Sequence, residues 1–335
     1  MTTTTTATPF SMFFLLLCLP SLALLPPAVS GLNIDARRSP SISNSNSYSW
    51  PRRRTSNVAR SEPALGYYVP ADAGGAMLTK APGTSPPAGE PLNVIIAGTS
   101  DAAVLVDSQD KGGFRNFFLS VGFAGECLGQ HEGAPQTADL GDGNGYKNET
   151  AVLRWDYGDP SLGTCQETIQ GGNHFRYWVQ SGTSGAATGG ASGAYFLATS
   201  YEKPIALGHD IIVDGYNQGR DWLIGNITKS AIPTATLTNT STFTGTTSFG
   251  GYTYSSSISY VSGLLANSSV GVNHADTVGV NGANPVDGLV AVVEVKITGR
   301  PAGESANSAS RFAGTRGQGA LIPTLLLFLL GALCL

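Results

Sequence analysis

Residues 289–297 read Leu-Val-Ala-Val-Val-Glu-Val-Lys-Ile. Successive side chains of an extended chain face opposite sides, so Leu289, Ala291, Val293, Val295 and Ile297 share one face. Glu294 and Lys296 lie on the other. A period of two in a Val-rich run is the pattern of a strand laid on a core. Upstream, Pro91–Gly98 (Pro-Leu-Asn-Val-Ile-Ile-Ala-Gly) predicts a buried strand. The Thr99-Ser100-Asp101 that follows predicts a helix N-cap.

Between these two runs the period switches repeatedly. Residues 113–121 predict a short helix with Phe114, Phe117, Phe118 and Val121 on one stripe and Gly122 as its stop. Residues 151–157, 174–180 and 194–201 predict strands, the first two separated by the stretch carrying Cys165. Asp214 is placed to start an amphipathic helix through Ile227, with Tyr216, Trp222, Leu223 and Ile227 inward. Residues 228–269 are rich in Ser, Thr and Gly. Their spaced Phe243, Phe249, Tyr252, Tyr254 and Tyr260 predict hairpins with one wet face. The expected class is α+β, a mixed, strand-dominated sheet with a few short helices and one disulfide. No internal repeat is visible.

The flanks carry address signals. Residues 1–30 combine the apolar run Ser11–Leu25 with small residues at Ala28 and Ser30, the layout of a secretory signal peptide. Residues 31–65 are rich in Ser, Asn, Pro and Arg, and predict a disordered linker or a propeptide cut at its Arg pairs. Residues 304–335 combine a run of small residues, a polar spacer and an apolar tail. That is the pattern of a glycosylphosphatidylinositol (GPI) attachment signal, with Asn307 or Ser308 as attachment residue. A C-terminal transmembrane anchor is the alternative, but the tail is short and contains Pro323. The expected place is the outer side of the plasma membrane or the cell wall, with the membrane engaged through lipid.

Cysteine usage fits that address. Apart from Cys18 in the leader and Cys334 in the tail, only Cys127 and Cys165 remain, which predicts one disulfide in an oxidising compartment. Four sequons start at Asn148, Asn226, Asn239 and Asn267. Residues 66–299 hold ten basic and twenty acidic residues, a net of −10. Such a charge argues against a nucleic-acid partner, since phosphate binding needs clustered Lys and Arg. It is compatible with divalent cations or cationic partners, and the partner expected at that address is a cell-wall glycan or a protein ligand.

Five blocks resemble, in order, the LssY-like C-terminal domain family, of which a secreted fungal type exists. They are Pro91–Gly98, Asn173-His-Phe-Arg-Tyr-Trp178, Ala194–Glu202, Gly208-His-Asp-Ile-Ile212 through Arg220-Asp221, and Pro285-Val-Asp-Gly288 before a strand. The likeness spans about residues 90–298, within a domain expected at 66–303. The family has no established activity, so it implies a fold and a set of polar positions, not a reaction. The family pairs two histidines where this chain has Asn173-His174 and Gly208-His209, which thins any metal site built on such pairs.

Alternation places His174, Arg176, Trp178 and Gln180 on one strand face. A charge there needs partners or water. The candidate partners are Glu202, His209, Asp210, Asp214 and Asp221, and Arg220 joins them in the candidate polar site. Three arrangements are compatible with these residue types. One is a structural network with Arg176 bound to Asp221 or Glu202. The second is an anion site forked by Arg176 and Arg220. The third is a divalent metal, zinc above all, on His174, Glu202 and His209 with an open position for water. Calcium is a further candidate at Asp139, Asp142 and Asn144, although the twelfth position of that loop is Thr150 where an EF-hand has Glu. The corresponding functions are a tethered surface glycoprotein that binds or builds, or an extracellular metal-dependent hydrolase. The binding role could instead use exposed aromatics such as Trp50 or Trp155.

Overall fold

The run 289–297 lies near the middle of an eight-stranded sheet. The structure, a computed structural model, describes residues 64–127, 130, 134–182, 191–279 and 281–304. The leader, residues 31–63 of the linker, Trp50, and the attachment signal beyond residue 304 fall outside the described residues.

In chain order the strands are β1 (Leu92–Ile96), β2 (Phe123–Gly125), β3 (Thr137–Ala138), β4 (Lys147–Asn148) and β5 (Ala151–Trp155). There follow β6 (Gly172–Ser181), β7 (Ala191–Glu202), β8 (Thr242–Phe249), β9 (Tyr252–Val261) and β10 (Val290–Gly299). The helices are α1 (Phe114–Leu119), α2 (Gly163–Gln170), α3 (Gly215–Thr228) and α4 (Ala275–Val278). The large sheet runs β2-β5-β6-β7-β1-β10-β9-β8, while β3 and β4 form a separate ribbon. Only β1 and β10 pair in parallel within the large sheet, and every other neighbour is antiparallel. The fold is α+β, with a mixed, curled sheet, four short helices and the Cys127–Cys165 disulfide among the described residues.

Two cores lie against the sheet. Val94 and Ile96 of β1 enter the first with Phe175, Tyr177 and Val293, and Leu92 and Ile95 enter the second with Trp178 and Phe196. A strand that serves two cores cannot alternate in polarity, which is why residues 91–98 read as an apolar run broken only by Asn93, whose buried amide bonds the backbone of Thr199 and Tyr216. The α1 helix drives Phe114, Phe117 and Phe118 into the first core, where Phe114 stacks on Tyr195 at 4.0 Å between ring centroids. Each fully buried aromatic contributes about 2 kcal/mol. The hairpin β8–β9 turns on Gly250 and Gly251, both at positive φ (58° and 81°) as a tight two-residue turn demands. Tyr252, Tyr254 and Tyr260 alternate inward on β9, so the Ser/Thr-rich segment is a one-sided hairpin as expected.

Two elements differ from expectation. No helix follows Thr99-Ser100-Asp101. Instead Ser100 Oγ accepts the Val295 N–H at 3.0 Å and Asp101 Oδ2 accepts the Ile297 N–H at 2.8 Å. β1 stops at Ile96 while β10 continues to Gly299, and these side chains supply the acceptors that a longer β1 would have offered. The stretch between β5 and β6 holds the α2 helix. α3 lies where expected, but Asp214 makes no side-chain cap bond and accepts Asn217 Nδ2 at 2.6 Å instead, and Trp222 is only half-buried.

Candidate functional site

Antiparallel register carries polar side chains of three strands to one place. Arg154 of β5 pairs with His174 of β6, His174 with Ser200 of β7, and Gly172 with Glu202. With Phe175 and Tyr177 committed to the first core, Arg154, His174 and Glu202 come together at the end of the other face. α2 adds Glu167, which lies across Gly172. A Cβ on that glycine would sit 2.8 Å from Glu167 Cγ, so the absence of a side chain there is what lets the carboxylate in.

Arg154 is the centre of the cluster. Its Nε donates to Glu126 Oε1 at 3.0 Å, and its Nη1 donates to Glu167 Oε2 at 2.9 Å and Glu202 Oε2 at 3.4 Å. His174 is fully buried, with Nδ1 3.3 Å from Glu202 Oε2 but in no hydrogen bond, and Nε2 3.4 Å from Ser200 Oγ. His209 follows Gly208 on a left-handed turn (φ 51°) and brings Nε2 to 3.2 Å from Glu202 Oε2, again without a hydrogen bond. Glu167 Oε1 is likewise buried and unpartnered. Ligand atoms of Glu167, His174 and Glu202 all lie within 4.8 Å of one another, and His209 meets them through Glu202.

Burial sets the protonation of the cluster. It drives the His174 imidazole well below its ordinary value, with Arg154, Arg176 and His209 adding repulsion, so His174 is neutral at physiological pH. Burial and then Arg154 lower His209 in the same way. Burial pushes the Glu202 carboxyl up to about 8 against the pull of Arg154. Glu167 is raised by burial too, again opposed by Arg154.

Three expected pairings are corrected. Arg176 meets neither Asp221 nor Glu202. It lies 3.3 Å from Glu149 and 3.8 Å from Glu90, residues that come just before β5 and β1. Arg220 opens no fork to an outside anion. Its Nε and Nη2 donate to Asp221, its Nη1 and Nη2 to Asp287, and its Nη1 to the Leu289 carbonyl, so all five N–H donors are used. Asp210 pairs with His274 Nδ1 at 2.9 Å instead of with His174 or Arg176. The calcium loop also closes on itself. Asp142 Oδ2 accepts Lys147 Nζ at 2.8 Å and Asp139 Oδ1 accepts the Gly141 N–H at 2.9 Å, so a lysine already neutralises the acidic turn.

Sequence reasoning missed Arg154, Glu126 and Glu167. A signal existed for Arg154, a lone charge inside the apolar run Ala-Val-Leu-Arg-Trp. Trp155 is half-buried and packs on Phe123, on Tyr157 and on Trp222, the last two half-buried as well. The sequon residues Asn148, Asn239 and Asn267 are exposed, whereas Asn226 is half-buried with its Nδ2 buried and unpartnered. A cavity of about 460 Å³ is lined by Gln218, Trp222, Asn226 and Lys229, not by the histidine cluster. Among the described residues no helix is long and apolar enough to cross a membrane. No family model, curated protein or solved structure matches this chain, so its likeness to the LssY-like domain rests on the five sequence blocks.

Proposed function

We infer that the chain is an extracellular glycoprotein, held at the cell surface or wall by a GPI anchor, whose sheet domain is a binding or structural module. The observation that carries this reading is the Cys127–Cys165 disulfide, which joins residues 38 apart and belongs to an oxidising compartment. The leader, the attachment signal and three exposed sequons point the same way. The LssY-like likeness would make the domain a member of a family without an assigned reaction. Treating intact cells with a phosphatidylinositol-specific phospholipase C should release the protein to the medium. An endoglycosidase should then lower its mass, with glycopeptides at Asn148, Asn239 and Asn267 and none at Asn226. Protein that stays on the cells and shows no mass change removes the reading.

A second reading, an extracellular metal-dependent hydrolase, is favoured by the meeting of His174 and His209 on Glu202. It predicts hydrolytic turnover that His174→Ala abolishes.

A further inference from the structure

Three buried side-chain atoms around Glu202 lack a hydrogen-bond partner. His174 Nδ1, His209 Nε2 and Glu167 Oε1 are all buried without a hydrogen bond, and all three belong to residues gathered around Glu202. Buried polar atoms are rarely left this way, and three in one place call for a missing partner.

The kind of partner follows from donor chemistry and spacing. If His174 donates Nε2–H to Ser200 Oγ, its Nδ1 carries a lone pair beside the Glu202 carboxylate. Two acceptors 3.3 Å apart repel unless a cation or a proton lies between them. Tetrahedral zinc, with bonds of about 2.0–2.1 Å, sets its ligand atoms about 3.3 Å apart. The separations from Glu202 Oε2 are 3.3 Å to His174 Nδ1 and 3.2 Å to His209 Nε2, each close to the length of such an edge.

Charge gives an independent argument. One cation, Arg154, faces three carboxylates, Glu126, Glu167 and Glu202. A divalent ion bound among them would offset negative charge that a single guanidinium shares three ways. Arg154 does not compete for the same lone pairs on Glu167. It holds Oε2, orienting the carboxylate, and leaves Oε1 free.

We propose that Glu167, His174 and Glu202 form a divalent-metal site of zinc type, with His209, which reaches Glu202 from the neighbouring turn, as a fourth ligand. The proposal goes beyond the anchored-module reading and does not depend on it. The site can be structural, or it can supply the metal of a hydrolase.

The test uses the full secreted, glycosylated protein, stripped with chelator and then dialysed against zinc. Elemental mass spectrometry should find close to one zinc per chain, and zinc should raise Tm while chelator reverses the rise. Cobalt substitution should give the intense visible bands of a four-coordinate N/O site. A His174→Ala, Glu202→Gln double variant should lose the metal and the Tm response. His274→Ala, which touches only the outer Asp210 pair, should keep both. Should the double variant fail to fold, the wild-type titration still decides. Wild type that takes up neither zinc nor cobalt, with Tm unmoved by metal or chelator, overturns the site and leaves a shared proton between His174 and Glu202. Zinc retained by a folded double variant also overturns it. Neither result bears on phospholipase release, so the two readings fail separately.

Discussion

The Asp142 carboxylate is fully buried and accepts Lys147 Nζ at 2.8 Å, the Ser181 N–H at 3.0 Å and the Asn144 N–H at 3.1 Å. Burial alone would raise its pKa, but the Lys147 bond and the backbone N–H donors outweigh burial and hold it below the usual 3.8. A folded-state value below the unfolded one stabilises the fold at any pH above the unfolded value, and that contribution fades as pH falls through the folded value. Asp142→Asn removes the lysine's counter-charge, and should cost about 1–3 kcal/mol at pH 7. It should cost progressively less as pH falls from the unfolded value of about 4 through the lower folded value, below which the wild-type carboxylate is itself protonated. Denaturant midpoints from pH 3 to 7 measure both effects. Equal stability of the two proteins at pH 7 would remove this account of the loop.

At the scale of the element, the disulfide and α2 act together. Cys127 adjoins Glu126 and Cys165 lies two residues before Glu167, so the bridge fixes both segments that supply carboxylates to Arg154. Closing a loop with a separation of 38 residues stabilises the fold by about 4 kcal/mol on the chain-entropy model. A Cys127→Ser, Cys165→Ser variant should therefore melt roughly 8–16 °C lower. A loss of only a degree or two would mean that α2 is held by its own packing. α2 also shows where legibility in the sequence ends. Its buried residues are Gly163, Thr164 and Glu167, with Ile169 turned outward. A helix that buries a carboxylate in place of an apolar stripe leaves no hydrophobic period to find. β10, β6 and α3 bury apolar faces, and their positions could be read directly from spacing. The same divide runs through the site. His174, Glu202 and His209 were legible on their strands and turn, but the partners of Arg176 and Arg220 depend on long-range register, which no local pattern encodes.

At the scale of the whole molecule, Arg220 binds distant parts of the chain to one another. From α3 it reaches Asp287 and the Leu289 carbonyl at the entry to β10. Asp221, which it also holds, accepts the Tyr260 hydroxyl of β9 at 2.8 Å. The guanidinium is completely buried and lies 5.2 Å from the Tyr260 ring. Desolvating such a set is expensive, so its net contribution against an apolar replacement can be small, but removing one member strands the others. Arg220→Ala leaves Asp221 and Asp287 facing each other without a cation. It should cost about 3–5 kcal/mol, seen as a lower denaturant midpoint at unchanged slope. Adding phosphate should not shift the wild-type Tm through this arginine, because no donor is left to meet an anion. A saturable phosphate-dependent rise in Tm that Arg220→Lys abolishes would restore the anion-fork arrangement. A folded Arg220→Ala protein within about 1 kcal/mol of wild type would show that the sheet and α3 are joined by their apolar contacts alone.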